Sequence, residues 1–209
     1  MSLRQLHEGL PIRHEGAAMS KENKVAALVA DGFQEEEFFL PKVALNRAGY
    51  AVEVVSMRND PIEIHSFFRR TGLLDVDRNI DEVSPGEYVG IFIPGGANSP
   101  ALLADDARVR AFVQEVDHCG NMVACICRGA LLPVRADIVR GRRITGFNDA
   151  AAYPDLVVAP HALAAGAIWI DGEPVVVDGR LVSSPHPDFA DKFGREMVRV
   201  LTEPRGSTG

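Results

Sequence analysis

The chain is poor in cysteine. Its 209 residues include only three cysteines, and no pair of them shows the spacing of a metal site. Cys125 and Cys127 lie one residue apart on a predicted strand, so they point to opposite faces and should not bridge each other. A low, odd count of this kind is typical of reduced thiols in a cytoplasm. We therefore expect a cytoplasmic protein with no metal and no other cofactor.

Long apolar runs and an excess of positive charge are also missing. No stretch is apolar for long enough to span a membrane. The N-terminus lacks the apolar segment of a signal peptide. Lysine and arginine together number 22 against 29 aspartates and glutamates, which gives a formal net charge of −7. This balance argues against nucleic acid or an anionic membrane as the main partner.

Short apolar runs alternate with helical patterns along most of the chain. The runs Lys24–Ala30 and Tyr88–Ile93 lack polar alternation, as in parallel strands buried on both faces. The alternation predicts an α/β protein, a flavodoxin-like three-layer sandwich with a mostly parallel central sheet of six or seven strands. Residues 1–22 are polar and aperiodic and are predicted to form a mobile N-terminal leader. Residues 23–204 are predicted to form a single domain.

Helical patterns and turn residues fill the intervals between the apolar runs. Helices are predicted over 34–48, 105–118, 128–136 and 188–201. Pro41 lies inside the first of these, so a kink or a late restart is expected there. Asn148 and Asp149 are predicted to cap a further short helix.

The segment Asn121–Leu132 is a candidate nucleophile elbow. It is an apolar strand, a sharp turn at Cys127 and the start of a helix. A thiol at such a turn is exposed, and the helix dipole stabilises its thiolate, so the pattern predicts a thiol pKa well below the usual value of about 8.5. A buried structural cysteine would satisfy the same local pattern.

Five segments, in this order, resemble the ThiJ/PfpI family of the class I glutamine amidotransferase-like superfamily. The resemblance runs from about Lys24 to Leu201. The segments that carry it are Ala30–Glu37, Ile93–Gly96, Ala124–Gly129, Gly141–Thr145 and Val175–Ser184.

The resemblance implies roles for particular residues. Cys127 matches the family's nucleophile, and Glu37 matches a carboxyl that lies beside the sulfur. A carboxyl so close to a thiolate is expected to be protonated and to donate a hydrogen bond. Gly95 and Gly96 match a turn whose N–H groups face an oxyanion. Without the resemblance, Glu37 would be interpreted as a solvated helix residue, and the two glycines would be interpreted as a plain turn.

Two departures from the family pattern bear on the reaction. Protease relatives carry His directly after the cysteine, where this chain has Arg128, and a Glu from a neighbouring subunit where the matching position is Pro100. Arg128 cannot accept a proton at neutral pH, although it can stabilise the thiolate or hold an anionic substrate group. Efficient peptide hydrolysis is therefore not expected.

Two other segments have open interpretations. His186 lies where the family chain passes close to the cysteine, so it is a candidate general base, although a histidine between prolines is more often a surface residue. Three interpretations of Phe67 and Phe68 are open: part of the core, part of a dimer surface, or part of the wall of the site.

Taken together, the residues and the resemblance predict a cysteine-dependent hydrolase- or glyoxalase-like enzyme. Its substrate would be a small carbonyl or acyl-type electrophile, attacked by Cys127. The alternative is a non-catalytic stress or redox-sensing protein whose Cys127 is reversibly oxidised. Because members of the resembled family associate, a homodimer or larger assembly is expected.

Overall fold

The computed structural model describes residues 23–204 and contains a seven-stranded central sheet. The strand order is β11-β12-β8-β7-β1-β3-β6, and every neighbouring pair is parallel except the antiparallel β11-β12 hairpin. A second sheet has the order β2-β4-β5, and β9 pairs with β10. In chain order the strands are β1 (Lys24–Leu28), β2 (Phe33–Gln34), β3 (Ala51–Ser56), β4 (Ile62–Ser66), β5 (Arg69–Leu74), β6 (Arg78–Asn79), β7 (Gly90–Ile93), β8 (Met122–Ile126), β9 (Arg143–Ile144), β10 (Ile168–Trp169), β11 (Val176–Asp178) and β12 (Leu181–Ser184).

Helices cover both faces of the central sheet. They are α1 (Glu35–Arg47), α2 (Ser99–Asp105), α3 (Ala107–His118), α4 (Leu131–Arg135), α5 (Ala159–Ala164) and α6 (Ala190–Thr202). One apolar core includes side chains of α1 and α6, and the other includes side chains of α2 to α5. The predicted three-layer α/β sandwich with a mostly parallel sheet is confirmed.

Local sequence explains how the layers form. β7, β8 and, after Lys24, β1 are apolar and are buried on both faces between helices. In α3, Val109, Phe112, Val113 and Val116 form the buried face. Asp106 begins that helix by accepting hydrogen bonds from the backbone N–H groups of Arg108 and Val109, as an N-cap does.

Helix α1 runs without a break across Pro41, so the predicted late restart does not occur. Pro41 is buried against α6, where a Cβ on Gly194 would lie 3.0 Å from the Pro41 Cα. A glycine in α6 therefore allows the two helices to approach closely.

Several elements differ from the sequence predictions. The segment after Asn148 forms turns and one short 3-10 turn at Pro154–Leu156 instead of the predicted helix. Helices α2 and α5 have prolines in their first turns, and the sequence patterns did not indicate either. The hairpin of β4 and β5 was also missed, because a small separate sheet buries only part of each strand and leaves no apolar run. The predicted leader, residues 1–22, lies outside the described residues.

Candidate active site

Four adjacent strands of the central sheet bring the predicted site residues together. β12, β8, β7 and β1 are neighbours in that order and parallel to one another, so their carboxyl ends meet at one edge. The chain that follows these ends carries His186, Cys127, Gly95 with Gly96, and Glu37, respectively. This is the sheet edge at which open α/β folds place their ligands.

Cys127 occupies a strained elbow. Its φ is 57°, in the left-handed region that residues with a side chain rarely adopt, which costs about 1–3 kcal/mol. A 3-10 turn, Cys127–Ala130, separates β8 from α4, where the sequence predicted a helix directly from Arg128. A Cβ on Gly129 would lie only 2.3 Å from the Ile93 carbonyl oxygen. Gly129 thus lets the elbow pack against the end of β7.

Glu37 is fully buried in the first turn of α1. Its Oε2 accepts a hydrogen bond of 2.6 Å from the Gly95 N–H, while its Oε1 is buried with no hydrogen-bond partner. Burial dominates its electrostatics and raises the Glu37 pKa from 4.5 to about 8. The carboxyl is therefore protonated at neutral pH.

The Cys127 thiol is buried beside this carboxyl. Burial raises the pKa of the Cys127 thiol well above its usual value, and negative charge on Glu37 raises it further. The Arg128 N–H and the Arg128 charge oppose both effects without overcoming them. The sequence prediction of a lowered thiol pKa is therefore wrong, because it included the helix end and the neighbouring cation but not the burial.

Gly95 and Gly96 differ in their contacts and in their backbone conformation. A Cβ on Gly95 would lie 2.6 Å from Glu37 Oε2 and 2.9 Å from the Cys127 Cβ, so only glycine fits between these two groups. Because the Gly95 N–H donates to Glu37, it positions the carboxyl and is not free to face an oxyanion as the sequence predicted. Gly96 has a φ of 114°, in the region that favours glycine, and its oxyanion role stays a prediction.

The guanidinium of Arg128 binds the loop that follows β7. Its Nη1 donates to the Gly96 carbonyl oxygen at 3.1 Å and to the Ala97 carbonyl oxygen. The side chain is half-buried, and burial lowers its pKa from the ordinary value. Arg128 therefore fixes the loop at Gly96 and Ala97, and its positive charge acts on the Cys127 thiol.

His186 lines the same pocket and is 43% exposed. Its Nδ1 lies 3.3 Å from the Asp188 N–H and 3.2 Å from the Asp188 carboxylate. The structure thus places His186 at the rim of the pocket and pairs it with Asp188. Pro100, in contrast, is buried within α2.

These groups surround a pocket of about 110 Å³. A single water needs roughly 10–15 Å³ on this scale, so a molecule of several non-hydrogen atoms fits. Phe67 and Phe68 both line it, which favours the site-wall interpretation of that pair. Sequence reasoning assigned no pocket role to the other lining residues, namely Gln34, Ala97, Phe147, Asp149, Tyr153, Leu156 and Pro187.

Residues 23–204 contain neither a group of side chains suited to hold a metal ion nor a helix suited to span a membrane. No three His, Cys, Asp or Glu side chains in this range are grouped so that they could hold a metal ion. Within the same range, no helix combines the length and apolarity needed to cross a membrane.

Fold and site together define a class: a parallel α/β sandwich with a strained cysteine elbow, a buried carboxyl and a glycine turn at one edge of the sheet. A model of the DJ-1/PfpI family matches residues 23–200. The chain therefore belongs to the DJ-1/PfpI family, as the resemblance in its sequence indicated.

Individual relatives support this assignment. The chain is 34% identical over 183 residues to protein/nucleic acid deglycase 2 of Escherichia coli, covering 88% of this chain and 99% of that one. It is 32% identical over 179 residues to a deglycase of Thermococcus kodakarensis, covering 85% and 99%. A crystal structure of a two-domain protein from Anabaena variabilis, with DJ-1/ThiJ/PfpI-like and ferritin-like domains, superposes with a TM-score of 0.77 at 27% identity, over 90% of this chain and 52% of that one.

The raised pKa values predict how Cys127 responds to pH. Iodoacetamide labelling of Cys127 should accelerate as pH rises, and its apparent pKa should lie above the usual range of a cysteine thiol, because burial disfavours the thiolate. Buried Cys125 should not label, and exposed Cys119 provides an internal reference. Mass spectrometry of the separated peptides measures each rate. An apparent pKa for Cys127 below that usual range would contradict the effect of burial.

Proposed function

We propose that this chain is a cysteine-dependent enzyme of the deglycase and glyoxalase type, which acts on small dicarbonyl compounds or their adducts with amines. The observation that carries the proposal is the contact of a strained, buried thiol with a carboxyl that is protonated at neutral pH. The names of two relatives, both deglycases, agree with it.

The geometry supports a sequence of steps that needs no oxidant. The Cys127 sulfur adds to the aldehyde carbon of methylglyoxal: a C–S bond forms, and the thiol proton passes to the carbonyl oxygen, which becomes a hydroxyl. The protonated Glu37 carboxyl then gives its proton to the second carbonyl oxygen while its other oxygen takes the proton of the first carbon, which yields an enediol. Glu37 next protonates the second carbon and takes the proton of the first hydroxyl, which leaves a thioester. Water hydrolyses the thioester to lactate and releases Cys127. In an amine hemiaminal the sulfur displaces the amine: the C–S bond forms, the C–N bond breaks, and the amine leaves with the thiol proton, which gives the same hemithioacetal.

Turnover of methylglyoxal tests the proposal. Lactate formation by the wild type should be lost in Cys127→Ala, because no other thiol lies in the pocket. Cys119→Ala, which removes an exposed thiol outside the pocket, should keep wild-type turnover. Lactate formation that persists in Cys127→Ala would refute the assignment of the nucleophile.

Reversible oxidation of Cys127 is the alternative function. The Glu37 carboxyl interacts with the Cys127 side chain, is protonated at neutral pH and is suited to donate a hydrogen bond to an oxidised sulfur. Absence of turnover in both wild type and Cys127→Ala, together with peroxide-dependent mass shifts at Cys127, would favour this function. A homodimer or larger assembly stays a prediction for either function.

Peptide hydrolysis should be very slow. His186, the histidine that lines the pocket, is paired with Asp188 at the rim, and Arg128 is bound to the loop carbonyls. Loss of acid–base help typically costs about 10²–10⁴-fold. We expect no Cys127-dependent cleavage of casein or a fluorogenic peptide, and a gain of cleavage in Arg128→His. Robust cleavage by the wild type, lost in His186→Ala, would identify His186 as the base instead.

A further inference from the structure

Three aromatic rings form a continuous strip at the mouth of the pocket. The Tyr153 ring centroid lies 5.6 Å from that of Phe68 and 6.1 Å from that of Phe147. All three side chains line the pocket, and Phe68 is 60% exposed. Exposed rings beside a reactive group form an apolar surface that a ligand can cover.

A buried polar side chain holds one end of this strip in place. Phe67, next to Phe68 at the tip of the β4–β5 hairpin, has a φ of 55°, and its N–H donates a 2.8 Å hydrogen bond to Gln34 Oε1. Gln34 is itself buried and lines the pocket. Backbone strain of this kind persists only where the surrounding structure enforces it, and it is concentrated at ligand-binding sites. The hairpin tip is therefore fixed over the pocket.

Two charged side chains of opposite sign line the pocket with the rings. Asp149 is exposed, and its Oδ1 accepts a 3.0 Å hydrogen bond from the Ala152 N–H. Arg128 is half-buried next to Cys127 in the chain, with its guanidinium on the loop carbonyls. Arg69 and Arg70 follow the hairpin tip but do not line the pocket, and the Arg70 Nε lies 3.5 Å from a Glu63 carboxylate oxygen. Ring faces and a carboxylate both attract cations.

We propose that Phe68, Tyr153, Phe147 and Asp149 form a subsite for an organic cation carried by the substrate. The reacting carbonyl of the same molecule points inward to Cys127 and Arg128. This proposal rests on the proposed function for the reacting carbonyl, but the recognition of the cation does not depend on any turnover. The subsite favours a positively charged adduct over a neutral one and disfavours an anionic carbonyl compound.

Protection of Cys127 from iodoacetamide tests the subsite without turnover. Benzamidine, benzamide and benzoate have one ring and one planar group of similar size, and at neutral pH they are cationic, neutral and anionic, respectively. We expect half-maximal protection by benzamidine at a concentration about fivefold or more below that for benzamide, because cation–ring and carboxylate attraction add. Benzoate should protect least.

Substitutions in the subsite test whether it produces the order in which the three compounds protect Cys127. Asp149→Asn should reduce the difference between the concentrations of benzamidine and benzoate that give half-maximal protection. Phe68→Leu and Tyr153→Leu should each weaken protection by benzamidine several-fold. Each labelling rate with ligand is divided by the rate of the same variant without ligand. Phe39→Leu is the matched control, since Phe39 is an exposed ring on α1 that does not line the pocket.

The outcomes separate this proposal from the proposed function. Equal protection by the three compounds, or benzamidine protection that survives both ring substitutions, would overturn the subsite. A Phe68→Leu change that alters only the assembly size by light scattering would assign the strip to contact between copies and also overturn it. Selective protection in a chain that forms no lactate would keep the subsite and reject the proposed reaction.

Discussion

Gly95→Ala is expected to reduce methylglyoxal turnover by at least about 10²-fold, because a misplaced catalytic group typically costs that much. The new Cβ would lie 2.6 Å from Glu37 Oε2, 2.9 Å from the Cys127 Cβ and 3.0 Å from the Arg128 backbone N. Two of these neighbours belong to the elbow, so relief of the overlap must move either the carboxyl or the nucleophile. Overpacking should also lower the free energy of unfolding by about 1–3 kcal/mol.

Gly72→Ala is the control for this substitution. Gly72 lies in β5, and its new Cβ would meet only the flexible end of Ile64, at 3.4 Å. Lactate formation and thermal unfolding of the two variants are compared with the wild type. Wild-type turnover in Gly95→Ala would mean that the contact of Glu37 with Cys127 is not needed for the reaction.

Glu37→Gln is expected to change how stability depends on pH. The Glu37 pKa is about 8 in the folded protein against 4.5 for an exposed glutamate. Between these values the unfolded chain has lost a proton that the folded chain keeps, so wild-type stability falls as pH rises, by up to about 1.4 kcal/mol per pH unit. Glutamine does not titrate, and it can accept from the Gly95 N–H and donate to the sulfur. The stability of Glu37→Gln relative to wild type should therefore grow by a few kcal/mol from pH 4.5 to 8.

Denaturant unfolding at several pH values measures this difference. Glu173→Gln makes the same substitution at a position in an exposed loop and is the control. Parallel stability curves for Glu37→Gln and wild type would show that Glu37 ionises in the folded protein as readily as in the unfolded chain. The same variant should lose turnover by about 10²–10⁴-fold, because an amide cannot transfer the proton.

Local sequence was sufficient for most of the fold. The apolar run of β8, for example, has no polar residue from Met122 to Ile126, and such a run is stable only between two layers of helices. The sequence did not predict the β4–β5 hairpin, because its strands are partly exposed and belong to a separate sheet. The missing helix after Asn148 shows that a capping residue alone does not form a helix when no apolar face follows it.

The sequence by itself determined where the nucleophile candidate lies, since the apolar strand, Cys127 and Gly129 are contiguous and encode the elbow locally. The glycine turn after β7 is likewise a local pattern. Only the tertiary structure decided the chemistry of these groups. Burial of Glu37 and Cys127 depends on elements far apart in the chain, and it reverses the thiol pKa that the elbow pattern indicated. The aromatic strip is also a tertiary feature, because Phe68 and Tyr153 are 85 positions apart and meet only once the hairpin tip has folded over the edge of the sheet.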